Sequence, residues 1–269
     1  MHADWLIPDW PAPAGVRAVF TTRAGGVSPV PYDSLNLGDH VGDQPANVAA
    51  NRDVLRRATG SHPVFLQQVH GSEVRVLDTA TPDGQKADAC VTDQAGLACT
   101  IMVADCLPVL LASEDGAVVA AAHAGWRGLA GSPAGPYGVL EAVYESFRAL
   151  AQQKRAQAAI KTIAWLGPCI GPSAFEVGAE VKAAFEAAQP DAGRCFAPCG
   201  SGKYLADLPA LARLRLKAMG IAQVYGNDGG DAWCTVRNPS RFFSHRRDAG
   251  VAGNGFGTTG RMAACVWRV

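Results

Sequence analysis

The chain has 269 residues, 24 Lys+Arg against 24 Asp+Glu, and 48% hydrophobic residues. A formal net charge of zero argues against nucleic acid or an anionic membrane as partner, while a local basic cluster could still take a small anion. The opening MHADWLIPDWPAP has no basic stretch leading into an apolar one, and no run approaches the ~18 apolar residues of a membrane span. Eight cysteines are too sparse for a disulfide scaffold and read as reduced thiols, so the expected location is cytoplasmic.

In chain order, residues 17–21 read as a short strand before a turn-rich segment. Pro45–Thr59 reads as a helix, with Asp43 as its cap and Pro45 in the first turn. Residues 63–69 and 74–77 read as strands flanking a turn at His70 and Gly71. Segments 87–92, 98–103, 109–112 and 117–122 follow as strands rich in β-branched residues and alanine. Residues 139–158 form the longest helical stretch, and 162–166 is again a strand. Residues 180–188 and 210–219 read as helices, 222–225 and 262–267 as strands. Strands run in blocks instead of alternating with helices, which favours an α+β class. No linker-like break divides residues 1–269, so a single domain is expected. Segments 132–138 and 248–260, rich in glycine or proline, read as surface loops. Cys90, Cys99, Cys234 and Cys265 sit in apolar runs and read as core. Cys195 and Cys199 lack a second pair to complete a zinc ribbon and read as part of a surface loop.

His70 in LQQVHG, Cys106 in VADCLP and His123 in AAHAGWRG each stand where an apolar strand gives way to a turn. Rigid strand ends suit metal ligands, and a His/Cys/His set is three-quarters of a tetrahedral zinc site with its fourth position open. Taken singly, each residue has a plainer reading as a satisfied polar group or a core thiol. Their spacings match no short local zinc motif. A metal here would hold Cys106 as thiolate and bring a bound water from a pKa of ~15.7 to ~7. Copper with Met102 as a weak axial ligand is the rival, although six histidines are too few for a full multicopper cluster.

Arg23, Arg127, Arg246, Arg247 and Arg261 all lie in or beside turns, and their forks suit phosphate or carboxylate. Asp88 and Asp105 could orient an imidazole or act as general base. Asn36, His40 and Gln68 could bind substrate edges. Walker A, G-x-S-x-G and H-x-E…P-C-x-x-C patterns are absent.

The segments FTTRAGGVS, LNLGDHVGD, LQQVHG, KADACVTD, VADCLPVLLA, AAHAGWRG, LGPCIGPSAFEVG, FFSHRRD and TGRMAACVW run in the order of a known motif series. By them the chain resembles the YfiH-like family, also called the multicopper polyphenol oxidase or peptidoglycan editing factor family. The resemblance implies a layered α/β/β/α sandwich similar to the cytotoxic-necrotizing-factor fold. It implies zinc (or copper) on His70, Cys106 and His123. It also implies phosphorolysis of adenosine, inosine and 5′-methylthioadenosine, with adenosine deamination as a further activity. Asp105 and Asp88 are then the expected proton carriers. Arg23, Asn36, Gln68, Arg127 and Arg246 are expected at the nucleoside and phosphate, with Arg23 and Arg246 on the phosphate. Copper-dependent phenol oxidation and amide hydrolysis on cell-wall precursors are the alternatives. The chain departs from the motif series at 132–137 and 249–257, which look like insertions, and at His245, where tyrosine is common.

Overall fold

The computed structural model describes residues 2–131, 137–154, 161–249 and 257–269. The strands are β1 (Val16–Phe20), β2 (His62–Phe65), β3 (Val74–Val76), β4 (Ala89–Thr92), β5 (Leu97–Val103), β6 (Leu107–Ser113), β7 (Val119–Ala124), β8 (Thr162–Leu166), β9 (Glu176–Val177), β10 (Phe196–Gly200), β11 (Lys203–Ala206), β12 (Gln223–Gly226) and β13 (Met262–Arg268). The helices are α1 (Pro45–Thr59), α2 (Trp126–Ala130), α3 (Val139–Lys154), α4 (Ala179–Ala188) and α5 (Leu208–Ala218).

One sheet has the order β1-β13-β5-β2 and a second β12-β8-β6-β7-β4-β3, while β10-β11-β9 form a small third. Pairing is mostly antiparallel, with β2·β5, β3·β4 and β8·β12 parallel.

The sequence of β5 explains the layering. All seven residues of LACTIMV are buried. Cys99, Ile101 and Val103 enter a core that also holds Leu110, Val119, Ile163 and Trp165 of the facing sheet. Ala98 and Met102 point the other way, onto Leu55 of α1, Trp5 and Leu37. Strand β6 repeats the pattern. Leu110 and Ala112 face the first sheet, while Val109 and Leu111 pack with Phe147 of α3, Phe185 of α4 and Leu211 of α5. Covered on both faces, such strands are continuously apolar, because period-2 alternation needs one wet face. The cores therefore run helix, sheet, sheet, helix.

Helix α1 keeps the expected bounds, with Pro45 in its first turn and Gly60 as a left-handed C-cap. The expected cap differs. Gln44 occupies the N-cap without a side-chain bond. Asp43 instead accepts from Ser28 Oγ at 2.6 Å and Asn36 Nδ2 at 2.9 Å, organising the loop before the helix. The strand expected at 63–69 ends at Phe65, because the chain there leaves the first sheet for the second. Residues 155–158 of the expected long helix lie outside the described residues, as do 132–136 and 250–256 of the two expected loops. The sequence reading missed β9, β10 and β11. Cys195 is buried and Cys199 is exposed on the β10–β11 hairpin, so the surface loop expected there is a strand pair. Cys90, Cys99, Cys234 and Cys265 are buried.

Candidate metal centre

His70 follows β2, Cys106 sits in the three-residue bend between β5 and β6, and His123 is the penultimate residue of β7. Their donor atoms lie within 4.8 Å of one another and form a group that could hold a metal ion. Cys106 Sγ is 3.8 Å from His70 Nε2, and the two imidazole rings meet edge to face at 4.8 Å between centroids. His123 is buried, Cys106 half-buried and His70 exposed, so the cluster is anchored at one side and open at the other.

Asp88 organises two of the three. Its Oδ1 accepts from His123 Nδ1 and His70 N, both at 2.9 Å. Its Oδ2 accepts from Gly71 N at 2.7 Å and Val69 N at 3.1 Å. A carboxylate on Nδ1 fixes the imidazole so that Nε2 presents its lone pair, the usual arrangement behind a metal-binding histidine. The same grip holds His70 at φ 61, a backbone conformation that costs a non-glycine residue about 1 kcal/mol or more. Burial opposes charge on Asp88, but the His123 hydrogen bond and the Gly71 and Val69 amides outweigh it and lower its pKa. Burial likewise opposes the Cys106 thiolate. Attraction to His123, with hydrogen bonds from His123 and His70, overcomes it and brings the thiol pKa down. Against its own burial, His123 is raised by the Cys106 charge and by Asp88. With no metal bound the pair favours thiolate and imidazolium, and a metal held there would take the place of the Nε2 proton. Gly125 leaves the space they need, since a Cβ there would sit 3.0 Å from Cys106 Sγ and 3.1 Å from His70 Cδ2.

The cluster opens into a cavity of about 380 Å³ lined by His40, Gln68, Trp126, Phe175, His245, Arg246 and Arg261, among others. That is within the usual size of small-molecule sites, roughly 300–1,000 Å³. A larger depression of about 760 Å³ lies among α3, α4 and α5, lined by Tyr137, Tyr144, Arg148 and Met219. It contains none of the three donors, so the chemistry favours the smaller cavity.

The expected site residues divide. Asp88 and Asp105 both adjoin the cluster, yet their oxygens are already engaged. Asp105, at φ 86, accepts from Thr235 Oγ1 at 2.5 Å, Ser244 Oγ at 3.1 Å and the Arg246 amide at 2.6 Å. These bonds tie Asp105 to Thr235 and to the 244–246 segment that borders the cavity. Gln68 lines the cavity with its amide paired to both backbone groups of Met102. Arg246 lines it too, with its terminal nitrogens on the carbonyls of Ala174 and Glu176. Three residues are not brought to the cavity. Arg23 is tied to Asp33 and to the Pro239 carbonyl. Asn36 is fully buried in its own loop, and Arg127 lies exposed over Trp126. His40, read as able to bind a substrate edge, and Arg261, read among the turn arginines suited to phosphate, are both on the wall, as is His245, which stood out only as a departure from the motif series. Arg261 beside Gly260 and His245 as a departure from the motif series were the available signals. Phe175 and Leu208, also on the wall, carried none.

Residues 17–269 match the family described as multi-copper polyphenol oxidoreductase laccase. The chain is 47% identical over 264 residues to a Pseudomonas aeruginosa protein named purine nucleoside phosphorylase PA4543, covering 98% of each. It is 46% identical over 266 residues to Escherichia coli purine nucleoside phosphorylase YfiH, again covering 98% of each. Among solved structures it is similar to Neisseria meningitidis protein NMB0706, with TM-score 0.82, 44% identity and coverage of 98% of this chain and 99% of that one. It is also similar to YlmD from Geobacillus stearothermophilus, with TM-score 0.78, 30% identity and coverage of 95% and 92%. With a match over nearly the whole chain and relatives near half identity, the protein belongs to the YfiH-like, multi-copper polyphenol oxidoreductase laccase family.

Proposed function

We propose that the chain is a zinc-dependent purine nucleoside phosphorylase acting on adenosine, inosine and 5′-methylthioadenosine, with hydrolytic deamination of adenosine as a second activity of the same site. The observation that carries this reading is the His70–Cys106–His123 cluster, backed by Asp88 and opening into a cavity with two arginines on its wall. Near-full-length relatives named purine nucleoside phosphorylase support the substrate class. The donor set supports zinc. Tetrahedral bonds of about 2.3 Å to sulfur and 2.0–2.1 Å to nitrogen span an S···N edge of about 3.6 Å, against 3.8 Å between Cys106 and His70. When bound, the metal supplies Lewis-acid polarisation and charge stabilisation at the position the three ligands leave open.

In phosphorolysis a phosphate oxygen bonds to the ribose anomeric carbon as the bond from that carbon to the purine breaks. The electron pair leaves with the base, which takes up a proton. Trp126 and Phe175 supply apolar and aromatic wall for base or sugar. Asp88 and Asp105 act as positioning residues, the first for the imidazoles, the second for the Cys106 bend and the Arg246 segment. His40 and His245 are the imidazoles on the wall outside the metal triad and are placed to exchange a proton with the purine. Burial and the charge of Arg261 lower the His40 pKa, which favours its neutral, hydrogen-bonding form.

We read residues 1–269 as one domain of the cytotoxic-necrotizing-factor type. What supports this is the middle core, filled from both central sheets, each of which packs a further core on its outer face. Cytoplasmic location belongs to the same reading. Among the described residues no helix is long and apolar enough to cross a membrane.

The test is adenosine and phosphate with purified, metal-analysed protein, followed by chromatography. Adenine, with inosine or hypoxanthine from deamination, is expected, and the absence of all three would reject the nucleoside reading. Copper-dependent phenol oxidation is a second reading, favoured by the family description. Oxygen uptake with a phenol and copper-loaded protein tests it.

A further inference from the structure

The turn arginines differ in what their guanidinium groups already hold. Arg23 has a carboxylate and two carbonyls. Arg247 has the Asp248 carboxylate and the carbonyls of Thr235, Val236 and Phe242. Both terminal nitrogens of Arg246 reach carbonyls. Arg261 is different. One terminal nitrogen donates to the carbonyls of Thr259 and Gly260, at 2.9 and 3.2 Å. Among the described residues its Nε and second terminal nitrogen have no hydrogen-bond acceptor, and it forms no salt bridge. It lines the same cavity as the metal cluster.

Its mounting is rigid. Arg261 immediately precedes β13, the strand between β1 and β5. Its amide donates to Asn36 Oδ1 at 2.9 Å, and its carbonyl accepts from Leu37 N at 3.0 Å. Asn36 is itself fixed by Gly38 and Asp43. Gly38 clears the path of the side chain, since a Cβ there would lie 2.7 Å from Arg261 Cγ. A partly buried guanidinium with uncommitted donors, held at a cavity wall, is built to take a multidentate anion. Burial lowers its pKa while the acidic groups of Cys106 and Asp105 partly restore it, so an incoming anion would add compensation the protein alone supplies incompletely.

We propose that Arg261 is the residue that docks inorganic phosphate, with Asn36 as the positioning residue behind it. The assignment rests on the phosphorolysis reading and replaces Arg23, which that cavity does not reach. Nucleoside and phosphate then approach the metal from different walls, and loss of Arg261 weakens one substrate without the other.

The experiment compares wild type, Arg261→Gln and Arg261→Lys. Thermal melting is followed against inorganic phosphate, with sodium chloride at matched ionic strength as control. Steady-state phosphorolysis of adenosine gives separate KM values for phosphate and nucleoside. The expected result is phosphate-specific stabilisation of wild type that Arg261→Gln loses. The phosphate KM should rise about 10- to 100-fold, as for loss of hydrogen bonds to a charged group, while the nucleoside KM changes by less than about 3-fold. Arg261→Lys keeps the charge without the fork and should fall between the two. It carries the comparison if the glutamine variant does not fold. Unchanged phosphate binding in both variants would overturn the assignment alone, as would equal rises in the two KM values. A wild type neither stabilised by phosphate nor able to use it would overturn the assignment together with the phosphorolysis reading.

Discussion

Replacing Asp88 with asparagine tests how far the metal centre depends on a residue that does not itself face the cavity. The wild-type carboxylate is fully buried and accepts four hydrogen bonds, from the amides of Val69, His70 and Gly71 and from His123 Nδ1. Asparagine keeps one acceptor oxygen and turns the other into a donor. If the new NH2 faces Val69 and Gly71, two amides lose their acceptor. If it faces His70 and His123, one amide is orphaned, and His123 must move its proton to Nε2, where it blocks coordination. Each orphaned donor costs ~1–3 kcal/mol when buried. Water reaches the exposed 69–70 turn, so the metal-free protein should lose about 1–3 kcal/mol. The disturbed imidazole should weaken metal binding about 10- to 100-fold. Urea titration of metal-free protein measures the first quantity, and competition with a colorimetric chelator the second. Asp88→Asn protein that binds metal as tightly as wild type would refute the argument that this carboxylate sets the imidazole.

Further substitutions probe the neighbouring contacts. Gly125→Ala should fold normally, because the backbone there is at φ −64 and ψ 158, but its methyl presses on Cys106 and His70. Metal affinity should fall by about 10-fold in the same chelator assay, and an unchanged value would mean the cluster has slack. Asn36→Ala removes the acceptor shared by the Gly38 and Arg261 amides. A loss of about 2–4 kcal/mol is expected by urea denaturation, and a loss below ~0.5 kcal/mol would show that water replaces the side chain. Phe147→Ala in the helix-side core should cost ~3–5 kcal/mol without altering metal affinity. A parallel fall in affinity would show that the site feels the far face of its sheet.

Much of the architecture was legible because continuous apolar segments such as LACTIMV and VLLA leave little alternative to strands covered on both faces. Pro45 and Gly60 likewise bracket α1. The short β9–β11 sheet was not legible. Its strands include Pro198 and glycine, have mostly exposed residues and carry no alternation to read. At the site, His70, Cys106 and His123 stood out by residue type and position. What each arginine does was hidden, because Arg23 and Arg261 sit in similar glycine-flanked turns and differ in Asp33 and Pro239, partners that the fold brings to Arg23. The partners of Asp105 were hidden for the same reason. Its three donors come from Thr235, Ser244 and Arg246, more than a hundred residues away.

His70 lies between β2 of one sheet and β3 of the other, and Cys106 between β5 of one and β6 of the other. Both ligands thus ride on the passages by which the chain crosses from sheet to sheet, while His123 is fixed in the second sheet. The binding group has no local precursor. It comes into being only when the two sheets have docked in register. A metal held there would act as a late clasp, leaving the folding rate nearly untouched and slowing the separation of the sheets on unfolding. The ion would then serve the lifetime of the native protein as well as its chemistry.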